Sequence, residues 1–355
     1  MFDIVLSIFL IGSAIFIFPV LGNIQALQFF QFGVIGHTGY NYLQLQFFQL
    51  GVLVLFITAL FSKPQRAFND KNAGVMFIAF ILSVLLHPVS VKLIGNIFLG
   101  FFLYYLVTVY SKDKKWVYRW VIFVSILNTV FALLQFMGIY LIYQPTGRID
   151  GLMCTSTHLG VYQAIALPIC YSMNPWLAVI PATSILLSKS AFAVIVSLIW
   201  FASVHWRMAF NYGSLFFMFI ASLIFFPCCY FYHMILDKII VRWYAWKPIL
   251  LQILEHPFLG NGVKTVKIQS QAGLFENPQS AYLQYLYYLG VLAIIPLYLF
   301  INNKLKCRDR VLLSCFFIAL AAGIEKSYFD FPRLAATVII LTALMNTTKG
   351  EIDVS

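Results

Sequence analysis

Long uninterrupted apolar runs separated by short polar breaks dominate this chain from Ile4 onward. A bilayer crossing takes about 20 apolar residues, fewer where interfacial side chains flank the run, and about twelve runs meet that need. They lie near 4–24, 41–61, 73–88, 92–110, 117–143, 159–173, 175–187, 190–205, 211–232, 281–302, 311–324 and 334–346. The runs 175–187 and 311–324 are the shortest. If the pair on either side of Lys189 were one long kinked helix, the count would change by one and every later segment would switch sides. The first run, Ile4 to Leu21, has no basic segment ahead of it and many runs after it, so it reads as an uncleaved first span rather than a signal peptide. One polar stretch is long, 233–280. The pattern predicts an all-α polytopic membrane protein with about twelve transmembrane helices and one long outer loop.

Composition points the same way. The 355 residues are 62% hydrophobic and 18% aromatic, with only 10% charged, whereas soluble domains sit near ~25% charged. The net charge of +11 acquires its meaning from position. With the N-terminus inside, cations cluster on short loops at Lys63, Arg66 and Lys71, at Lys112, Lys114, Lys115 and Arg119, and at Lys304, Lys306, Arg308 and Arg310. Arg207 and Lys349 fall on the same side. This is the positive-inside pattern, with both termini cytoplasmic, so the implied partner is a lipid bilayer and not a nucleic acid. The six cysteines form no CxxC or Cys/His array, so no metal and no cofactor is expected; beside apolar runs a thiol acts as a small hydrophobe.

The outer cations are mostly singletons next to spans: Lys92, Arg148, Lys189, Lys326 and Arg333, with Lys238, Arg242, Lys247, Lys264 and Lys267 in the long loop. A charge at membrane depth is costly unless it is paired or faces a cavity. Each of these cations has an ordinary reading as a snorkelling side chain or a local ion pair, such as Arg148 with Asp150. Their convergence on one face points to an anionic ligand of the phosphate or diphosphate type.

Four segments on that face share a pattern. They are "GRIDGLMCTSTHLGVYQAIALP" from Gly147, "ILLSKSAFAVIVSLI" from Ile185, "RWYAWKPILLQILEHPFLGNG" from Arg242, and "ENPQSAYLQYLYYLGVLAII" from Glu276. In this order and spacing, over roughly residues 145–300, they resemble the O-antigen ligase and O-antigen polymerase superfamily, which includes bacterial protein O-oligosaccharyltransferases. Members carry a G-R-x-x-G segment ending in P-N-x-L-[AG], a span with S-R-[GTS]-A, and a long loop with R-x-x-x-W and P-x-x-G-x-G. The loop closes on H-N-x-[YF]-L-Q. Two shorter likenesses, "TSTHL" with His158 and "EKSYFDFPRLAA" with Asp330, are similar to the protein-glycosylating branch.

The resemblance implies a GT-C-like membrane glycosyltransferase in the bacterial inner membrane with its active face periplasmic. Its donor would be a polyprenyl-diphosphate-linked glycan. The acceptor hydroxyl would belong to a growing glycan, to lipid A core or to a protein, in O-antigen or capsule biosynthesis. On this basis the chain divides into N-terminal transmembrane helices (1–145), a ligase-like region with the loop 233–280 (146–302), and C-terminal helices with a short cytoplasmic tail (303–355). Two readings stand beside polymerase or ligase: oligosaccharyltransfer onto a pilin-like protein, and a glycan transporter or inactive paralogue.

The resemblance assigns Arg242 to the loop-helix arginine, Arg148 to the G-R arginine and Lys189 to the arginine of S-R-G, where the cation is kept but the bidentate fork is lost. Together with Lys264, His158, Tyr282 and Gln284 these form the implied diphosphate and glycan contacts. The main departure is at Gln279, which stands where the family carries its loop histidine. An amide accepts no proton at neutral pH, so the base would come from Glu276, three residues earlier, or from His158, His233 or His256, and Glu276 is the candidate to test. The alternative for Glu276 is an ion pair with Lys264 or Lys267. The implied catalytic set is Glu276, Gln279 and Arg242.

Overall fold

The computed structural model describes residues 2–14, 50–87, 91–140, 149–153, 155–205, 240, 242–263, 268–270, 273–275, 280–325 and 332–347. These form helices α1 (Phe2–Ala14), α2 (Leu50–Leu60), α3 (Lys71–Leu86), α4 (Val91–Tyr110), α5 (Lys114–Phe136) and α6 (Ser156–Met173). A 3₁₀ turn at Pro175–Ala178 leads into α7 (Val179–Ser188), followed by α8 (Ala191–Val204) and α9 (242–255). The last four are α10 (Ala281–Leu289), α11 (Ile294–Leu305), α12 (Arg310–Glu325) and α13 (Pro332–Thr347). The described residues are therefore all-helical apart from one small antiparallel hairpin, β1 (Ile268–Ser270) with β2 (Gly273–Phe275), in which Ile268 pairs with Phe275.

Most elements sit where the apolar runs predict them. The runs on either side of Lys189 form two separate helices, as expected: α7 packs on α5 and α6, and α8 packs on α6 and α12. The run expected as a single span at 281–302 is instead broken at Gly290, where α10 and α11 meet at a bend of 119°. By length and apolarity, α5 alone among the described helices is able to cross a membrane unaided, and the bent pair passes the same test when taken together. The predicted span 211–232 lies outside the described residues.

Two apolar cores result. The larger is built from α1, α2, α4–α8, α12 and α13, with Ala73 of α3, around Leu6, Leu103, Leu159, Tyr162 and Ile165. The smaller joins α3 to α9 and α10 through Phe80, Ile249, Ile253, Tyr285 and Tyr288. At one end of the bundle the connections are tied by polar contacts. Asp3 of α1 accepts from Ser111 (2.9 Å) and from the Lys112 amide; Arg66 donates to the Ser111 carbonyl (2.9 Å). Lys114 of α5 bonds Asp309 at 2.7 Å, and Asp309 also caps α12 by accepting from the Val311 and Leu312 amides.

The centre of this end is Lys304. The charge pattern placed it among loop cations in contact with solvent; in the fold it lies within α11 with none of its side chain exposed. Its ammonium donates to Asp70 Oδ2 at 2.6 Å, to Asn346 Oδ1 at 2.5 Å and to the Tyr104 hydroxyl, and stands over the Phe300 ring at 5.0 Å. Asp70 accepts further bonds from the Tyr104 hydroxyl, the Ala73 amide, Asn303 and Asn346. Four helices, α3, α4, α11 and α13, thus share one neutral cluster.

Burial by itself would raise the Asp70 carboxyl. The Lys304 charge and the hydrogen bonds of Lys304, Tyr104 and the Ala73 amide outweigh it and hold the group down at about 2. Because the folded value is depressed, the stabilisation is complete above the ordinary carboxyl value of 3.8 and is lost as pH falls towards about 2. Breaking such a pair from one side strands a buried charge at about 3–5 kcal/mol, whereas removing both partners costs far less. Lys304→Met should therefore lower the unfolding midpoint of the purified protein sharply, and Lys304→Met with Asp70→Asn should recover most of the loss. Thermal denaturation followed by size-exclusion chromatography reads both variants. Equal losses in the single and double variants would show that the charges are not what matters there.

Candidate functional site

The opposite end of the bundle carries the sequence-singled segments, and it is organised by polar side chains inside α5. Ser125, Asn128, Thr129 and Gln135 recur at helical spacing along one face of that apolar helix, and all four are buried. Gln135 Oε1 accepts from the amides of Asp150 (3.1 Å) and Gly151 (2.9 Å), and its Nε2 donates to the Gly151 carbonyl (3.0 Å). Asn128 Oδ1 accepts from the Leu152 amide at 3.1 Å. These bonds hold the non-helical segment 149–153 against the bundle, where its backbone groups would otherwise lack partners. Below it, Ser125 donates to Gln163 Oε1 at 2.5 Å, and Gln163 Nε2 donates back to the Ser125 carbonyl and Thr129.

Thr155 then starts α6 as its N-cap, accepting from the His158 amide at 3.2 Å, with its hydroxyl 2.7 Å from His158 Nδ1. His158 is buried, so the imidazole is a part of the helix start. Two residues on, Gly160 faces the α7–α8 turn at closest approach. A Cβ there would stand 2.7 Å from Ser190 Cβ and 2.9 Å from Ser188 Oγ, nearer than any side chain tolerates. The first segment is thereby docked on the second. Between those serines Lys189 ends α7 in the left-handed region (φ 49°, ψ 32°) with its side chain exposed.

The third segment docks on the fourth. Past α9 the turn 257–262 hydrogen-bonds to the end of α10: the Asn261 amide donates to the Tyr287 carbonyl (2.7 Å), the Gly262 amide to Tyr288 (3.2 Å), and the Val291 amide to Pro257 (2.8 Å). Gly260 (φ +71°) and Gly290 (φ +73°) lie back to back, and a Cβ on Gly260 would sit 2.6 Å from the Gly290 nitrogen. The same contact therefore fixes the loop helix and breaks the following apolar run.

Tyr282 donates to the Leu320 carbonyl of α12 at 2.6 Å and Ser280 bonds the Gly323 carbonyl. Buried Gln284 donates to the Tyr288 hydroxyl at 2.6 Å. Through α12, which also packs on α6 and α8, the two docked pairs belong to one end of the molecule. Arg242 opens α9 and is half-buried. Arg148, Lys264, Glu276 and Gln279 lie outside the described residues.

The residues that sequence reading passed over are Ser125, Asn128, Thr129 and Gln135. Their signal was present as polar side chains at 125, 128, 129 and 135 in an otherwise apolar run, positions that share one helix face. No family model matches this chain, and none of the curated proteins matches it.

Gly260→Ala tests the docking of α9. Its methyl meets backbone rather than a flexible side chain, at a φ that non-glycine residues resist, so the cost should be about 1–3 kcal/mol. The readout is faster protease cleavage within 242–263 while the rest of the protein resists. Unchanged cleavage would mean that the turn is not what holds the helix.

Proposed function

We propose that this chain is a polytopic, metal-independent membrane glycosyltransferase. It transfers or polymerises a glycan from a polyprenyl diphosphate onto an acceptor hydroxyl at the periplasmic face of the bacterial inner membrane. The observation that carries this reading is the pairwise docking of the four resembling segments, Gly160 on Ser188–Ser190 and Gly260 on Gly290, at one end of the bundle. Within each pair, segments that share a family's motif order and lie 28–30 positions apart are neighbours in space.

The chemistry follows from the residue types. The acceptor oxygen attacks the anomeric carbon, the bond from that carbon to the diphosphate oxygen breaks, and the leaving group carries away the electron pair. Arg242 and Lys189 supply positive charge for that developing anion. The hydroxyl proton passes to Glu276, because the amide of Gln279 accepts none. Polymerisation is preferred over ligation because the loop histidine common to ligases is replaced and the loop is short, and both are preferred over oligosaccharyltransfer because the likeness to the protein-glycosylating branch rests on short matches.

Deletion of the chain separates these outcomes on gels of lipopolysaccharide, capsule and pilin: loss of long chains only means polymerase, loss of all decorated core means ligase, and a mass shift in one protein means oligosaccharyltransfer. Unchanged profiles would remove the glycosyltransferase reading. Arg242→Ala should abolish transfer at normal membrane abundance. Glu276→Gln should lower turnover by about 10²–10⁴ with little effect on donor binding, and a neutral result would exclude Glu276 as the base. Gln279→His should restore or raise turnover if the position is the family's base position.

A further inference from the structure

Helix α9 is apolar on two opposite faces. Ala245, Ile249 and Ile253 are buried, the two isoleucines in the core shared with α3 and α10. On the far side, at the same helical spacing, Trp243, Leu250, Leu251 and Leu254 are exposed, at 54%, 36%, 55% and 70%, and Phe258 continues the stripe at 65%. A loop helix bathed in water would carry polar side chains on that outward face. The only charged residues among its exposed positions are Lys247 in the middle and Glu255 at the end.

The stripe also has a neighbour. Because the Val291 amide bonds the Pro257 carbonyl, Phe258 lies beside the break, where Val291, Leu292 and Ile295 are exposed at 45%, 52% and 61%. The outward face of α9 therefore adjoins the exposed apolar residues at the break and the start of α11.

We propose that α9 with its following turn, 242–259, is an interfacial helix that lies in the headgroup region of the bilayer. Leu250, Leu251, Leu254 and Phe258 enter the acyl boundary, Trp243 sits at headgroup level, and Lys247 extends to anionic phosphates. Aromatic and leucine side chains on the apolar stripe, with a lysine stem crossing it, match how such helices bind anionic lipid. A protein partner would be recognised by polar groups at the rim, whereas this surface adjoins the exposed apolar residues where α10 and α11 meet. The helix then holds the docked turn at Gly260–Gly290 at membrane level and does not project it into water. This inference rests on the membrane part of the proposed function and not on glycan transfer.

The test uses the full chain reconstituted in vesicles of phosphatidylethanolamine and phosphatidylglycerol. The fluorescence difference between the native protein and Trp243→Phe reports Trp243 alone, and its large exposure makes the substitution safe for folding. Lipids brominated near the headgroup should quench most of that signal, acrylamide in the water should quench little, and removing phosphatidylglycerol or making Lys247→Glu should reduce the lipid quenching. Strong acrylamide quenching in vesicles that float with the protein overturns the interfacial placement alone. Quenching by neither agent also overturns it, because a protein surface would then cover the stripe. Failure of the protein to float with the vesicles overturns the membrane reading itself.

Discussion

A lysine ammonium with no exposure, held by Asp70 and two neutral partners, is the constraint on which this architecture turns. In an apolar bundle an isolated charge is not sustained, so Lys304 and Asp70 must be brought together with enough hydrogen-bond partners to saturate both. Tyr104 and Asn346 supply them from α4 and α13. Four helices are thereby set in register at one end, leaving the opposite end to be shaped by other contacts. Such a pair adds little net stability compared with an apolar substitute; its effect is to allow one arrangement of the four helices and penalise the others.

At the other end shape is decided by glycine contacts and by amides rather than by charge. Gly160 lets α6 approach the α7–α8 turn, and Gly260 lets the α9 turn settle into the break at Gly290. Gln135 and Asn128 meanwhile satisfy backbone groups of 149–153 that have no helix of their own. The two ends thus differ: one is a saturated charge cluster, the other a polar, close-packed end where irregular backbone is supported from within. On the proposed interfacial placement of α9, the segment bearing Arg242 would lie at headgroup depth.

Much of the element pattern was legible in the chain. Run lengths located helices such as α5, α6, α12 and α13 closely, because apolar length is a local property that does not depend on what packs beside it. Less of the candidate site was legible. Lys189 and Arg242 were recognisable as cations beside apolar runs, but the burial of His158 and Gln284 depends on helices packed over them from elsewhere in the chain. Lys304 was misread for the same reason: on the charge pattern it is indistinguishable from Lys306, and only the approach of Asp70, more than two hundred positions away, makes it an interior residue.

The sequence by itself determined that the chain is helical and overwhelmingly apolar, and where most helices begin and end, because those follow from composition and from the length of uncharged runs. Only the tertiary structure decided that the run 281–302 is broken at Gly290 and that Gly160 brings the Lys189 turn against α6. It also decided which polar residues inside apolar runs find one another. Each of these depends on contacts between segments distant in the chain: the Gly260 turn against Gly290, Gly160 against Ser188 and Ser190, and Lys304 against Asp70.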